Sequence, residues 1–138
     1  MNAEDVNYWK TGQAAPDTLI DKAEKLIVEV SGTILGRGFV SSVGEAAYML
    51  MFQIDDASYK IVWPVLHSRT GNQVAARRQA ATMLFHDVKA KCMTAKVMGI
   101  KKAFFPYLLL PDGRTAAEIA VPELADSIEL YLPQIISK

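Results

Sequence analysis

The stretch from Gly71 to Gly99 constrains the fold more than any other, because no proline or glycine interrupts it between those two residues. At about 100° per residue, Val74, Ala81, Phe85, Val88, Cys92 and Ala95 gather into one apolar stripe, which predicts a helix of roughly seven turns. Asn72 is placed to cap its start and Gly99 to end it. Met83, Ala90 and Val97 form a second apolar strip well round from the first. Ala75, Ala76, Ala80 and Ala81 let another backbone come close. Arg78, Lys89 and Lys96 align beside the main stripe, and Arg77 and Lys91 line its other flank. A helix of this kind is expected to lie between its own sheet and a second packed body.

The rest of the chain arranges itself around that helix. Residues 1–15 show no period and read as an arm that docks its Trp9. A first helix starts near Pro16-Asp17-Thr18, with Asp17 or Thr18 able to cap, and Leu19, Ala23, Leu26, Ile27 and Val30 share one face. Asp21, Lys22, Glu24 and Lys25 lie opposite, on a solvated surface, and Gly32 is a natural left-handed stop. Thr33 to Val40 reads as a strand bent at Gly36 and Gly38. Ala47 to Ile54 and Tyr59 to Val65 form a hairpin joined by Asp55-Asp56-Ala57-Ser58. Both faces of its first strand are apolar, so that strand is central or has one face at a subunit interface. Pro64 cannot donate to a ladder, which ends the second strand or puts it at an edge.

Beyond Gly99, the apolar run Ala103 to Leu110 reads as a last strand kinked at Pro106. Pro111-Asp112-Gly113-Arg114 is a turn, Thr115-Ala116-Ala117-Glu118 has the form of a capping box, and Pro122 opens a final helix to about Leu132. The expected fold class is α+β, a single domain with an antiparallel β-meander packed on one long helix, in the order α-β-β-β-α-β-α. An arm (1–15) precedes the core (16–110), and a C-terminal helical segment (111–138) follows it.

Hydrophobic residues make up 51% of the chain, enough for a core without metal or disulfide staples. The single Cys92 excludes an intramolecular disulfide, which fits a reducing, cytoplasmic setting. No apolar run approaches the ~18 residues of a membrane span, and no signal peptide is visible, so a soluble protein without a membrane partner is expected.

Formal net charge is zero, yet its distribution is uneven. Residues 1–59 sum to −5, residues 60–114 to +8 and residues 115–138 to −3. A segmental field of this kind suggests a polyanion partner, although the acidic ends could instead fold over the basic middle. Single-strand binding needs a cationic track with aromatic faces. The candidate track is Arg69, Arg77, Arg78, Lys89, Lys91, Lys96, Lys101, Lys102 and Arg114, with Trp63, Tyr59 and Phe105 as stacking candidates that alternating strand spacing equally assigns to the core.

Catalytic and metal signals are weak by comparison. Helix-strand order also fits a restriction-endonuclease-like core, whose Mg²⁺ site needs a carboxylate on one strand and an acidic-x-Lys on the next. Asp55 or Asp56 and Lys60 are present, but Ser58 stands where an acid is required. His67, His86 and Cys92 lack metal-ligand spacing, and neither a phosphate-cradling glycine loop nor a nucleophile-base pair occurs. No cofactor, metal or catalytic residue is expected.

The run Ala75-Ala76-Arg77-Arg78-Gln79-Ala80-Ala81, closing at Val97-Met98-Gly99 after a meander, resembles the basic, alanine-rich helix of Rad52-like and phage single-strand annealing proteins. The resemblance covers residues 17–99 by element order and this helix by residue type. It implies a sheet and long helix lining a basic groove, and assembly into homo-oligomers. The expected function is sequence-tolerant binding of nucleic acid, single-stranded DNA foremost, in replication or recombination, with a phage or mobile-element origin. The alternatives are a Mg²⁺-dependent nuclease and a non-catalytic protein-interaction module.

Overall fold

The computed structural model describes residues 1–11, 14–42 and 45–121. Helix α1 (Pro16–Glu29) begins at Pro16 itself, whose fixed φ suits the first helical position, and neither Asp17 nor Thr18 caps it. Leu19, Ile20, Ala23 and Ile27 form its buried face. The left-handed residue that ends the helix is Ser31, at φ 70°, not Gly32. Gly32 serves clearance instead: a Cβ there would lie 2.4 Å from Ile27 Cγ2 and 2.8 Å from its carbonyl oxygen.

Strands β1 (Gly32–Ser42), β2 (Glu45–Ile54) and β3 (Ala57–Val65) make an antiparallel sheet in that order, with β2 central and β3 at an edge. Register pairs Tyr48 with Phe39 and Trp63, Leu50 with Arg37 and Ile61, and Phe52 with Ile34 and Tyr59. A bulge between Ile34 and Gly36 bends β1. Ile54 pairs with Ala57, so the hairpin turn is only Asp55-Asp56, with Asp55 left-handed at φ 55°.

Helix α2 (Gln73–Met98) and α1 cover one face of this sheet, burying Tyr48, Leu50, Phe52, Ile54, Tyr59 and Ile61. On α2 the buried set is Ala76, Ala80, Ala81, Leu84, Val88, Cys92 and Ala95, joined by Gln79 and Thr82. Val74, expected on the core stripe, is 62% exposed in the first turn, and Leu84 takes the central place.

The segment expected as a last strand is mostly helical. Gly99, at φ 97°, breaks α2, and a short α3 (Ile100–Phe104) follows, then a 3-10 turn over Phe105–Tyr107. Strand pairing is confined to single bridges, Tyr59 with Leu108 and Leu109 with Thr115. A continuous apolar run has no period to separate helix from strand. Tertiary packing decides it: Phe104 is driven into an aromatic cluster with Phe52 and Tyr59, at centroid distances of 5.4 and 5.8 Å. The capping box forms as expected, with the Glu118 N–H donating to Thr115 Oγ1 at 3.3 Å. Residues 116–121 are helical, and the helix expected from Pro122 lies outside the described residues.

Tyr59 carries a hydroxyl buried in this core with no hydrogen-bond partner among the described residues. An unpaired buried donor costs about 1–3 kcal/mol. Tyr59→Phe is therefore expected to raise unfolding free energy by about 1 kcal/mol in urea titrations; a loss of stability would show that the hydroxyl has a partner.

Candidate nucleic-acid interface

The site is built on α2, and its placement begins at that helix's start. Asn72 Oδ1 accepts the Ala75 N–H at 3.1 Å, the cap expected from sequence. Ser68 Oγ accepts the Asn72 N–H at 3.0 Å and donates to the Glu4 carboxylate at 2.8 Å. Glu4 also accepts from the Arg69 N–H (2.9 Å), the Thr70 N–H (3.1 Å) and the Thr70 hydroxyl (2.9 Å). Desolvation pushes the Glu4 pKa up. The hydrogen bonds from the Arg69 N–H, Ser68 and Thr70 together outweigh it and hold the carboxyl well below its ordinary value of 4.5.

A second tie is the buried Gln79, whose Nε2 donates to the carbonyls of Ala3 (2.8 Å), Val6 (3.1 Å) and Asn7 (3.0 Å). Ala3 is itself buried, and its N–H donates to the His67 carbonyl at 2.8 Å. Tyr8 then stacks on His86 of α2, with centroids 4.8 Å apart and planes 14° apart. The arm is thus fixed to α2, and Tyr8 makes the aromatic contact there. Nothing in the sequence signals these contacts, because their partners lie more than sixty residues away.

Several candidate bases have acidic neighbours. Arg69 lies 3.8 Å from Asp5, Lys91 lies 3.1 Å from Asp87, Lys101 lies 3.6 Å from Asp56 and Arg114 lies 2.7 Å from Asp112. Arg77 sits over the Phe39 ring, 4.7 Å from its centre. Arg37, between the strand glycines, turns toward α1 and is gripped by Asp21 and by Glu24 at 2.6 Å. Those two acids, read as plain solvated surface, instead tie α1 to β1.

Arg78, Lys89, Lys96 and Lys102 have no acidic partner among the described residues. The first three fall within about 20° of one another on α2 and span about 27 Å at 1.5 Å per residue. Asp87, the helix's one acid, lies on the opposite flank, bonded to Lys91 and the Tyr107 hydroxyl. Burial, with the bond to Asp87, pushes the Tyr107 pKa far up, so its hydroxyl stays protonated and the contact is a structural tie.

The stacking candidates part company. Trp63 is half-buried on the helix-facing side of β3 and packs on the core, Tyr59 is fully buried, and Phe105 is exposed beside Lys101 and Lys102. Cys92 points its thiol at the Leu26 carbonyl, 3.7 Å away, and burial raises its pKa, which suits a packing role. Lys60 pairs with Met51 while Asp55 and Asp56 sit in the hairpin turn, so the nuclease pattern is split between a sheet face and a loop tip. Among the described residues no three His, Cys, Asp or Glu side chains group to hold a metal. No helix among them is long and apolar enough to cross a membrane.

Comparison with protein-family models, curated proteins and solved structures gives no match, so the residues carry the functional reading by themselves.

The Glu4 tie makes a pH prediction. A carboxyl with a depressed folded-state pKa contributes stability that is complete above its ordinary value of 4.5 and is lost as pH falls below it. Acid titration followed by circular dichroism is expected to show a shallower loss of stability below that pH in Glu4→Gln. Identical acid limbs would mean that the carboxylate is not held.

Proposed function

We propose that this protein binds nucleic acid without sequence preference, single-stranded DNA foremost, through the exposed flank of α2, and serves strand handling in replication or recombination. The observation that carries the reading is the line Arg78, Lys89 and Lys96, with no acid on its flank of α2. Aligned cations of this kind meet phosphates by charge and release counterions, whatever the base sequence. About 27 Å of track covers roughly eight stacked nucleotides at ~3.4 Å each. Lys102 and the exposed Phe105 lie beyond the C-terminal end of α2, where a strand leaving the track would meet a further charge and a stacking face. Among the described residues, acid-base closure within the chain, the competing interaction-module reading, is represented by Arg69 with Asp5 and Lys101 with Asp56 and does not reach this line.

Fluorescence anisotropy with labelled single- and double-stranded DNA tests the reading. Binding is expected at low salt, to weaken steeply as salt rises and to ignore chelator. Arg78→Glu with Lys89→Glu is expected to weaken it at least roughly tenfold and to cut the salt slope by about 2. Lys91→Ala, on the other flank, should stay near wild type. No binding at low salt, or equal losses in both variants, would overturn the proposal.

A further inference from the structure

Among the described residues the sheet is covered by helices on one face only, and its other face is set out by the strand register. Gly36, Gly38 and Val40 of β1 stand beside Met51, Met49 and Ala47 of β2, which stand beside Lys60, Val62 and Pro64 of β3. Lys60 is the one charged residue of the nine. Val40 is 52% and Val62 48% exposed, and the strands form a trough of about 580 Å³ whose lining includes Val40, Met49 and Val62 together with Glu45, Lys60 and His67.

No clash among the described residues requires either glycine. Neither has a left-handed φ. A Cβ on Gly36 would meet nothing within 4 Å, and one on Gly38 only the Met49 methyl at an ordinary 3.5 Å. Glycine weakens a strand interior and marks places where another backbone or a ligand approaches closely. Among the described residues, only the Met49 methyl comes near them.

We infer that this face is the self-association surface of the protein, its occupant a second copy packed sheet to sheet. The inference is independent of nucleic-acid binding. An isologous contact needs one surface that carries both a projection and the hollow to receive it. This face has both: the methionine ridge Met49-Met51 on β2 and the glycine furrow Gly36-Gly38 on β1, side by side. A two-fold axis parallel to the strands, between β1 and β2, lays β1 of each copy over β2 of the other. Each ridge then seats in the partner's furrow. Three strands of about ten residues give a footprint of roughly 14 by 33 Å. That is somewhat over half of the ~800 Å² per partner of a standard interface, which sets a weak, concentration-dependent dimer.

Sedimentation velocity on the full chain without DNA, from low to high micromolar concentration, tests this. The wild type is expected to shift from monomer to dimer as concentration rises. Gly36→Val with Gly38→Val fills the furrow, and is expected to hold the protein monomeric with an unchanged or higher melting temperature. Met49→Lys, which charges the ridge, should do the same. A wild type that stays monomeric throughout would overturn the inference. So would a dimer that persists in both variants, or valines that unfold the monomer while Met49→Lys leaves the dimer intact.

Discussion

Burial of α2 on more than one side is the constraint on which the rest of the structure depends. Helix α1, the sheet and the arm all press against it, so Ala76, Ala80 and Ala81 keep the surrounding backbones close while Leu84 fills the centre. A glutamine in that setting is tolerable only if its amide is satisfied. The arm's carbonyls, at the end of a 3-10 turn, have the converse need. Gln79 and residues 3–7 complete one another, and Glu4 does the same for the N–H groups of the loop after β3. Arm, loop and helix start therefore form one polar-satisfied unit, although the arm has no hydrophobic period of its own.

The same packing sets what each cation of α2 touches. Ten bases are spread over residues 60–114, and packing sorts them by flank. Arg77 is turned onto Phe39 and Lys91 onto Asp87, while Arg78, Lys89 and Lys96 remain in line on the flank of α2 away from Asp87. The ion pairs of Arg69 and Lys101 are solvent-exposed, and such pairs hold weakly enough to open toward a polyanion. A chain with no net charge can in this way present a locally basic surface.

Among the described residues, covering a meander on one face only leaves Ala47, Met49 and Met51 of β2 half-buried on the opposite face. Met49 and Met51 therefore do no core work, in contrast to Leu50 and Phe52 one residue on. Sheet-to-sheet pairing would place the helix layers of two copies on the outside. Their cationic lines would then face solvent on opposite sides, so the proposed self-association and polyanion binding would use separate surfaces.

Local signals were readable without a structure wherever their physics is complete within a few residues. Asn72 as cap, Gly99 as break, the alternation in β2 and β3 and the Thr115–Glu118 capping box all belong to that class. The helical course of residues 103–107 did not, because the apolar run from Ala103 to Leu110 carries no period and the choice rests on Phe104 meeting Phe52 and Tyr59. Arg37 was legible as a base between glycines, whereas its partners Asp21 and Glu24 belong to another element. Val74 fitted the helical stripe, but it is exposed in the first turn of α2, where no period can report exposure. By itself the sequence determined the long helix, the hairpin and the excess of base in the middle of the chain. Tertiary structure alone decided where the arm is held and, among the described residues, which bases stay unpaired and which sheet face is left open. Those outcomes depend on contacts between residues far apart in the chain, where burial and hydrogen-bond satisfaction outweigh local propensity.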